Sequence, residues 1–254
     1  MKTKISPFYL SLLSFSFILL LWGLVAHINQ WGDHVFPSPV KVMNSMWVLI
    51  ADGTLFKHSV ASLFRVTAGF YLAMIFGIPL GIFLGRLKTA RFVINPIVQF
   101  LRPISPLAWI PLSMLWFGIG DKPAVFLIFL SSFFPLVVST TIAVNSINPI
   151  YFQVASNFNF SRREVVTKIV VPAIIPEIVT ALRLTVTIAW LVVVAAEMIA
   201  VQSGLGYLIL DSRNALRMDY VMVGMIVIGI IGLFLDNIMR RLEKVDSAFW
   251  GSVV

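Results

Sequence analysis

The sequence contains no cysteine and few charged residues, and each shortage excludes a class of protein. Without cysteine there are no disulfides, thiolate metal sites or cysteine nucleophiles. Charged residues make up 12% of the 254 residues, against about a quarter in an average soluble domain, while hydrophobic residues make up 59%. We therefore expect an integral membrane protein.

The residue patterns of a self-contained enzyme are also missing. The sequence has no Ser/His/Asp set, no Gly-rich phosphate loop and no Walker-type motif. The three histidines, His27, His34 and His58, show no metal-ligand spacing. We expect neither a catalytic residue nor a metal site here, so any ATP chemistry that drives this protein belongs to another chain.

The apolar segments predict an all-α, polytopic membrane protein with about six transmembrane helices. A crossing needs about 20 apolar residues, and the predicted spans are 8–28, 58–85, 92–117, 124–144, 173–201 and 220–239. A further helix at 40–50 is predicted to lie along the outer interface. We divide the chain into a first helix with its outer connection, 1–57, and a transmembrane core, 58–254, which contains a loop at 148–172.

The positive charge supports one orientation of these spans. The formal net charge is +8, and in a bilayer protein Lys and Arg mark the cytoplasmic flanks rather than a nucleic-acid partner. With Lys2, Lys4 and the basic clusters after residues 85, 161 and 239 on the inside, basic residues are roughly twice as frequent inside as outside. This predicts a plasma (inner) membrane protein with both termini in the cytoplasm.

Two spans carry patterns that indicate close packing and a pathway. Glycines at four- or eight-residue intervals in the second span, Gly69, Gly77, Gly81 and Gly85, predict a face on which another helix approaches closely. The third span holds four prolines, which bend or break a helix, and irregular backbone at membrane depth is tolerated only beside protein or a water-filled cavity. The third span is therefore the best candidate for lining a pathway.

Charged residues inside the spans need a reason, because a charge near the bilayer centre costs several kcal/mol. Arg102, in the proline-broken third span with Trp109, either contacts an anionic substrate or bonds a carboxylate or free carbonyls. Arg65 and Asp236 lie nearer the ends of their spans, and we interpret both as structural.

Arg183, Trp190 and Glu197 are seven residues apart and share one stripe of the fifth span. The stripe lines a pathway, with Trp190 as a constriction, or forms a structural seam in which Arg183 and Glu197 pair with other spans. At about 21 Å apart along the helix they cannot pair with each other, and the seam is the favoured interpretation.

The longest polar interior segment, Gln153–Pro172, resembles the cytoplasmic loop of ABC-importer permeases. The family pattern is E-A-A-x3-G-x9-I-x-L-P, and the same spacing here reads Gln153-Val154-Ala155, Asn159, Ile169 and Val171-Pro172. Asn in place of Gly is informative, because a position between two short helices needs a left-handed backbone, which Asn tolerates best after Gly. Pro172 is expected to end the loop, since it cannot continue a hydrogen-bonded helix.

Further stretches resemble the permeases that import nitrate, bicarbonate, sulfonates and taurine: FPSP at 36–39, GIPLG at 77–81, LRPISPLAWIPLSMLWFGIG at 101–120, AAEM at 195–198 and SGLGYLILDSRN at 203–214. The resemblance implies a type I ABC-importer permease fold and a homodimeric pore for a small oxyanion. It also implies two cytoplasmic ATPase subunits that hold ATP and Mg, and an external substrate-binding protein.

For individual residues, the resemblance implies that the loop docks into the ATPase as a coupling helix through Gln153, Ala155, Asn159, Arg162, Arg163 and Pro172. The alternative is a stand-alone secondary transporter or channel. Such a protein needs a relay of paired carboxylates, and Glu177 and Glu197 are too isolated to form one.

Overall fold

The computed structural model describes residues 7–28 and 35–250, with side chains described for 13–28 and 35–243. Within these ranges the chain forms eleven α-helices and no strand. They are α1 (Pro7–Ile28), α2 (Pro39–Ala51), α3 (Thr54–Arg86), α4 (Lys88–Leu101), α5 (Ile110–Phe117), α6 (Asp121–Ser146), α7 (Pro149–Asn157), α8 (Arg162–Val165), α9 (Val171–Ala200), α10 (Leu205–Asn214) and α11 (Met218–Trp250). A 3-10 turn covers Pro106–Trp109, and a π turn covers Val166–Val170. The expectations for Lys2, Lys4 and His34 lie outside the described residues.

Four helices of the described chain are long and apolar enough to cross a membrane, at Thr54–Arg86, Asp121–Ser146, Arg162–Ala200 and Met218–Glu243. They confirm the second, fourth, fifth and sixth predicted spans; the fifth begins eleven residues earlier than predicted, and the others extend by up to four residues at either end. The 22-residue α1 and the broken segment from α4 to α5 occupy the positions of the first and third predicted spans, and their described apolar helices are shorter. The all-α, polytopic fold class is therefore confirmed.

The glycine face of α3 packs directly on α6, as the spacing predicts. A Cβ placed on Gly81 would lie 2.5 Å from Cβ of Thr140, and one on Gly85 would lie 2.5 Å from Cβ of Val144. The partners of Gly69, Gly77, Gly81 and Gly85 follow each other in the same order along α6. The two helices therefore run parallel, and the chain between them has to return across the bundle.

The third predicted span makes that return, but as broken pieces rather than one helix. Its start lies at the end of the bundle that carries α7 and α8, here called the loop end, where Nη1 of Arg91 donates to Oδ1 of Asn145 at 2.6 Å. Its finish lies at the opposite, far end, where Ile110 packs with Ala124 and Ala200. Pro96 sits within α4 without ending it, whereas Pro103 falls in the break after Leu101.

The expected end of the loop at Pro172 is wrong, because the helix continues through it. The π turn at Val166–Val170 precedes Pro172, and the N–H of Val171 donates to the carbonyl of Val166. A wider turn keeps the pyrrolidine ring away from the carbonyl four residues earlier, with which it would clash in a regular α-helix. Residues 162–200 thus form one continuous helix, which joins the loop to the fifth span without a corner.

The connection predicted between the fifth and sixth spans also contains a helix, α10. It ends at Asn214, and Leu216 just beyond it has a left-handed backbone, with a φ of 57°. The helix α2, predicted over 40–50, is confirmed and packs against α11, where Oγ of Ser45 donates to Oδ2 of Asp219 at 2.7 Å.

Candidate functional site

The polar loop is a helix–turn–helix unit whose turns are fixed by local hydrogen bonds. Asn148 caps α7, and Asn159 has a φ of 53°, which confirms the left-handed backbone predicted there. The N–H groups of Asn159 and Phe160 donate to the carbonyls of Ser156 and Ala155, the pair of bonds that closes a Schellman motif. The reciprocal capping box of Ser161 and Glu164 then starts α8.

One face of α7 attaches the loop to the bundle. Ala155 is buried at 2% exposure, and Phe152 lies under the guanidinium of Arg86, whose carbon is 4.4 Å from the ring centroid. Phe152 also packs against the core cluster that holds Val144 and Ile174. Ala155 therefore packs the loop against its own chain, and a bulky substitution there would disturb the loop itself.

The neighbouring face of α7 is exposed and partly apolar. Tyr151, Val154 and Phe158 recur at the spacing of one helical face and are 56%, 48% and 72% exposed. The predicted docking residues Gln153, Asn159, Arg162 and Arg163 are exposed around them. Apolar side chains within a polar rim are typical of a protein interaction surface.

The break in the third span places two of the predicted pathway residues together. Arg102 and Trp109 line one cavity of about 210 Å³, with Ser131 of α6 and Ile188 and Val192 of α9. Arg102 is exposed, and no described carboxylate forms an ion pair with it. The cavity offers an unneutralised cation beside an aromatic ring and irregular backbone, a combination that can hold a small anion.

Trp190 and Glu197 face other parts of the bundle. Trp190 is 5% exposed, and its Nε1 donates to the carbonyl of Ile228 on α11 at 3.0 Å. Glu197 is fully buried against α3 and α10. The α9 residues in the Arg102 cavity are Ile188 and Val192, on a different face of the helix.

A buried ion pair at the far end joins α3 to α9. Nη1 of Arg65 donates to Oε1 of Glu197 at 2.6 Å, while Ser62 and the N–H of Gly206 donate to Oε2 at 2.8 and 3.0 Å. Arg65 also reaches Asp121 at the start of α6 and the carbonyl of Ser203. The cluster links four helices, α3, α6, α9 and α10, and the loop before α10.

Arg183 forms a second bridge between helices. Its Nε donates to Oδ1 of Asp236 at 2.9 Å, and its Nη1 donates to Oε2 of Glu243 at 2.8 Å. Both acceptors lie on α11. Arg183 and Glu197 therefore make the contacts of the favoured seam, and Arg65 and Asp236 make structural pairs, as interpreted from the sequence.

Sequence reasoning missed most of these partners. Arg65 is only 2% exposed and pairs with Glu197, 132 positions away. Ser131, Ile188 and Val192 carry no signal of their own, since they are ordinary residues of apolar helices. The sequence carried a usable signal only for the charged residues inside the spans, because a charge inside the membrane requires a partner.

The structure thus combines a broken span, a cavity at its break and a capped polar loop at the loop end, and comparison with known proteins assigns the family. The chain belongs to the family of binding-protein-dependent transport system inner membrane components, whose profile matches residues 77–245. It is thus the permease component of an ABC importer.

Two curated relatives match over most of their length. The taurine transport system permease protein of Escherichia coli (strain K12) is 33% identical over 249 residues, covering 96% of this chain and 90% of the relative. The nitrate import permease protein of Leptolyngbya laminosa is 34% identical, covering 89% and 83%.

The fold is also that of a solved type I permease. An inward-facing structure of the MetNI methionine ABC transporter superposes with a TM-score of 0.66 at 16% identity. The match covers 79% of this chain and 97% of that chain. The type I ABC-importer permease fold expected from the sequence is therefore confirmed.

Proposed function

We propose that this permease forms a homodimeric pore for a small oxyanion and is driven by two cytoplasmic ATPase subunits that bind α7 and α8. The observation that carries the coupling proposal is the capped loop: a hydrogen-bonded turn holds the exposed face of α7 beside α8, and α8 continues into α9 without a break. ATP and Mg belong to the partner subunits, and hydrolysis takes place there. An external binding protein delivers the cargo at the far end.

The orientation follows from the same proposal. If the ATPases bind α7 and α8, the loop end is cytoplasmic. Arg240 and Arg241, at the loop end of α11, then lie on the cytoplasmic side with both termini, as the distribution of basic residues indicates.

The cargo proposal rests on the charge at the break of the third span. Arg102 is a cation without a described carboxylate partner. Two relatives are named for the transport of taurine, which contains a sulfonate group, and of nitrate, which is itself an oxyanion. A guanidinium binds planar or tetrahedral oxyanions through two parallel N–H donors. The cargo class is therefore nitrate, bicarbonate or an organosulfonate.

Docking is tested by trimming the exposed face of α7. Val154→Ala with Phe158→Ala should reduce co-purification of the ATPase about tenfold, since loss of apolar anchors in an interface costs more than about 1 kcal/mol. Ile119→Ala is the matched control, because Ile119 is 74% exposed and lies at the far end. Equal ATPase recovery from the double variant and the control would contradict the assignment.

Coupling is tested with spin labels in the cysteine-free chain. Ser156→Cys places one label on the exposed surface of α7 in each protomer. We expect a shorter distance between the two labels with trapped ATP than without nucleotide, because closure of the ATPases brings the two loops together and opens the pore outward. Equal distances in complexes that hydrolyse ATP would exclude this mechanism.

Cargo contact is tested at the cavity. Arg102→Gln should lower transport in reconstituted complexes far more than basal ATPase activity, whereas Arg102→Lys keeps the charge and part of the rate. Arg213→Gln is the control, because it removes an exposed cation at the far end of the bundle. Unchanged transport by Arg102→Gln would make Arg102 a structural residue.

A further inference from the structure

The helix α4 has a polar face that the pathway residues do not account for. Arg91, Asn95, Gln99 and Arg102 follow each other at intervals of four, four and three residues, which places them on one side of a helix. Arg102 has helical backbone angles just after α4, so the stripe continues to it. It runs from the loop end to the break in the third span.

The opposite side of α4 is apolar and faces outward. Val93, Ile97 and Phe100 lie on this side and are between 56% and 73% exposed. The polar side lies beside α6 instead: Arg91 and Asn95 are half-buried, Gln99 is exposed, and all three line a cavity of about 340 Å³ with Thr141 and Asn145. A row of polar side chains along a helix at membrane depth indicates a water-filled space beside it.

The charge of this cavity has one sign. Arg91 donates to the amide oxygen of Asn145, which leaves its charge unneutralised, and no described carboxylate lines this cavity or the Arg102 cavity. Amide N–H groups of Asn95 and Gln99 can also donate to an oxyanion. Two cations with amides between them, over about 16 Å of helix, attract anions and repel cations.

We propose that the α4 face formed by Arg91, Asn95 and Gln99 is a second anion station, which receives the oxyanion from Arg102 and passes it to the loop end through the cleft between α4 and α6. The proposal rests on the proposed function in taking an oxyanion as cargo. It adds a position and a direction: cargo leaves the protomer along α4. Weak, repeated contacts with amides and cations suit passage, since each station must bind and then release.

The absence of cysteine makes a direct test available. Asn95→Cys and Gln99→Cys, each the only cysteine in the chain, are reacted in lipid nanodiscs with two small thiosulfonate reagents, one carrying a sulfonate and one a quaternary ammonium. Val93→Cys and Ile97→Cys are matched controls on the apolar face of the same helix. Ser156→Cys on the exposed loop gives the intrinsic ratio of the two reagents.

We expect both polar-face cysteines to react at least about tenfold faster than the apolar-face controls. The anionic-to-cationic rate ratio should exceed that of Ser156→Cys by about tenfold, equivalent to about 1.4 kcal/mol. Adding Arg91→Gln should lower that excess, and Arg91→Lys should retain it. Failure of both polar-face cysteines to react, or a ratio equal to that of the loop, would overturn the proposal.

These labelling experiments need neither an ATPase nor transport, so they separate this proposal from the proposed function. Anion-selective labelling with transport unaffected by Arg102→Gln removes Arg102 as a cargo contact and as the source of the anion, but keeps the anion station on α4. Anion-selective transport with an unreactive α4 face removes the station alone.

Discussion

Glu197 offers the sharpest test of whether a buried intramembrane charge serves stability or cargo. We expect Glu197→Gln to destabilise the protein, because the side chain is fully buried and accepts from Arg65, Ser62 and the N–H of Gly206. The variant keeps the shape but leaves Arg65 without its buried carboxylate partner. Removing one member of a buried pair costs about 3–5 kcal/mol.

That free energy translates into a measurable melting shift. For a chain of this size each kcal/mol lowers Tm by about 2–4 °C, so Glu197→Gln should lower Tm by about 6–20 °C in thermal unfolding of the detergent-purified protein. Glu177→Gln is the matched control, since it makes the same substitution on the same helix at an exposed position. Arg65→Met with Glu197→Leu should lose less than the two single variants together, because apolar side chains replace both charges.

One melting result would assign Glu197 to the pathway instead. This is a Tm of Glu197→Gln within about 2 °C of the wild-type Tm, together with a change in cargo selectivity alone. Glu197 would then line the pathway, which is the alternative interpretation of the stripe formed by Arg183, Trp190 and Glu197. The ion pair with Arg65 would contribute little to stability.

Other predictions concern backbone and packing. Asn159→Gly should leave ATPase binding intact. Asn159→Val should destabilise the loop by about 1–2 kcal/mol, because a β-branched residue disfavours the left-handed backbone. Protease sensitivity of the loop measures this difference. Gly81→Ala should lower Tm through overpacking worth about 1–3 kcal/mol, since its Cβ would lie 2.5 Å from Cβ of Thr140. Gly229→Ala is the control, with open space at its Cβ, and an equal shift in both variants would contradict the close contact of α3 and α6.

Local rules predicted the parts of this structure that depend on neighbouring residues. The left-handed Asn159 and the glycine face of α3 followed from the steric freedom of Asn and from helical periodicity. The all-α, polytopic fold followed from the length of the apolar segments. Each of these inferences needs only one uninterrupted stretch of sequence, no longer than a single helix.

The candidate site depends on contacts that such windows do not contain. The Arg65–Glu197 pair joins residues 132 positions apart, and Ile188 and Val192 meet Arg102 only because three helices converge at the break. Pro172 was mispredicted for a different reason. Proline was treated as a helix terminator, whereas a π turn accommodates its ring and lets the helix continue.

The continuous helix from Arg162 to Ala200 connects α8 of the loop directly to the far end of the bundle. Its 39 residues span about 58 Å at a rise of 1.5 Å per residue. A tilt of about 10° pivoting at Val170 displaces Ala200, about 45 Å away, by about 8 Å. Glu197 lies three residues before the far end of this helix. Such a tilt therefore either moves α3 together with α9 or breaks the contact between Glu197 and Arg65.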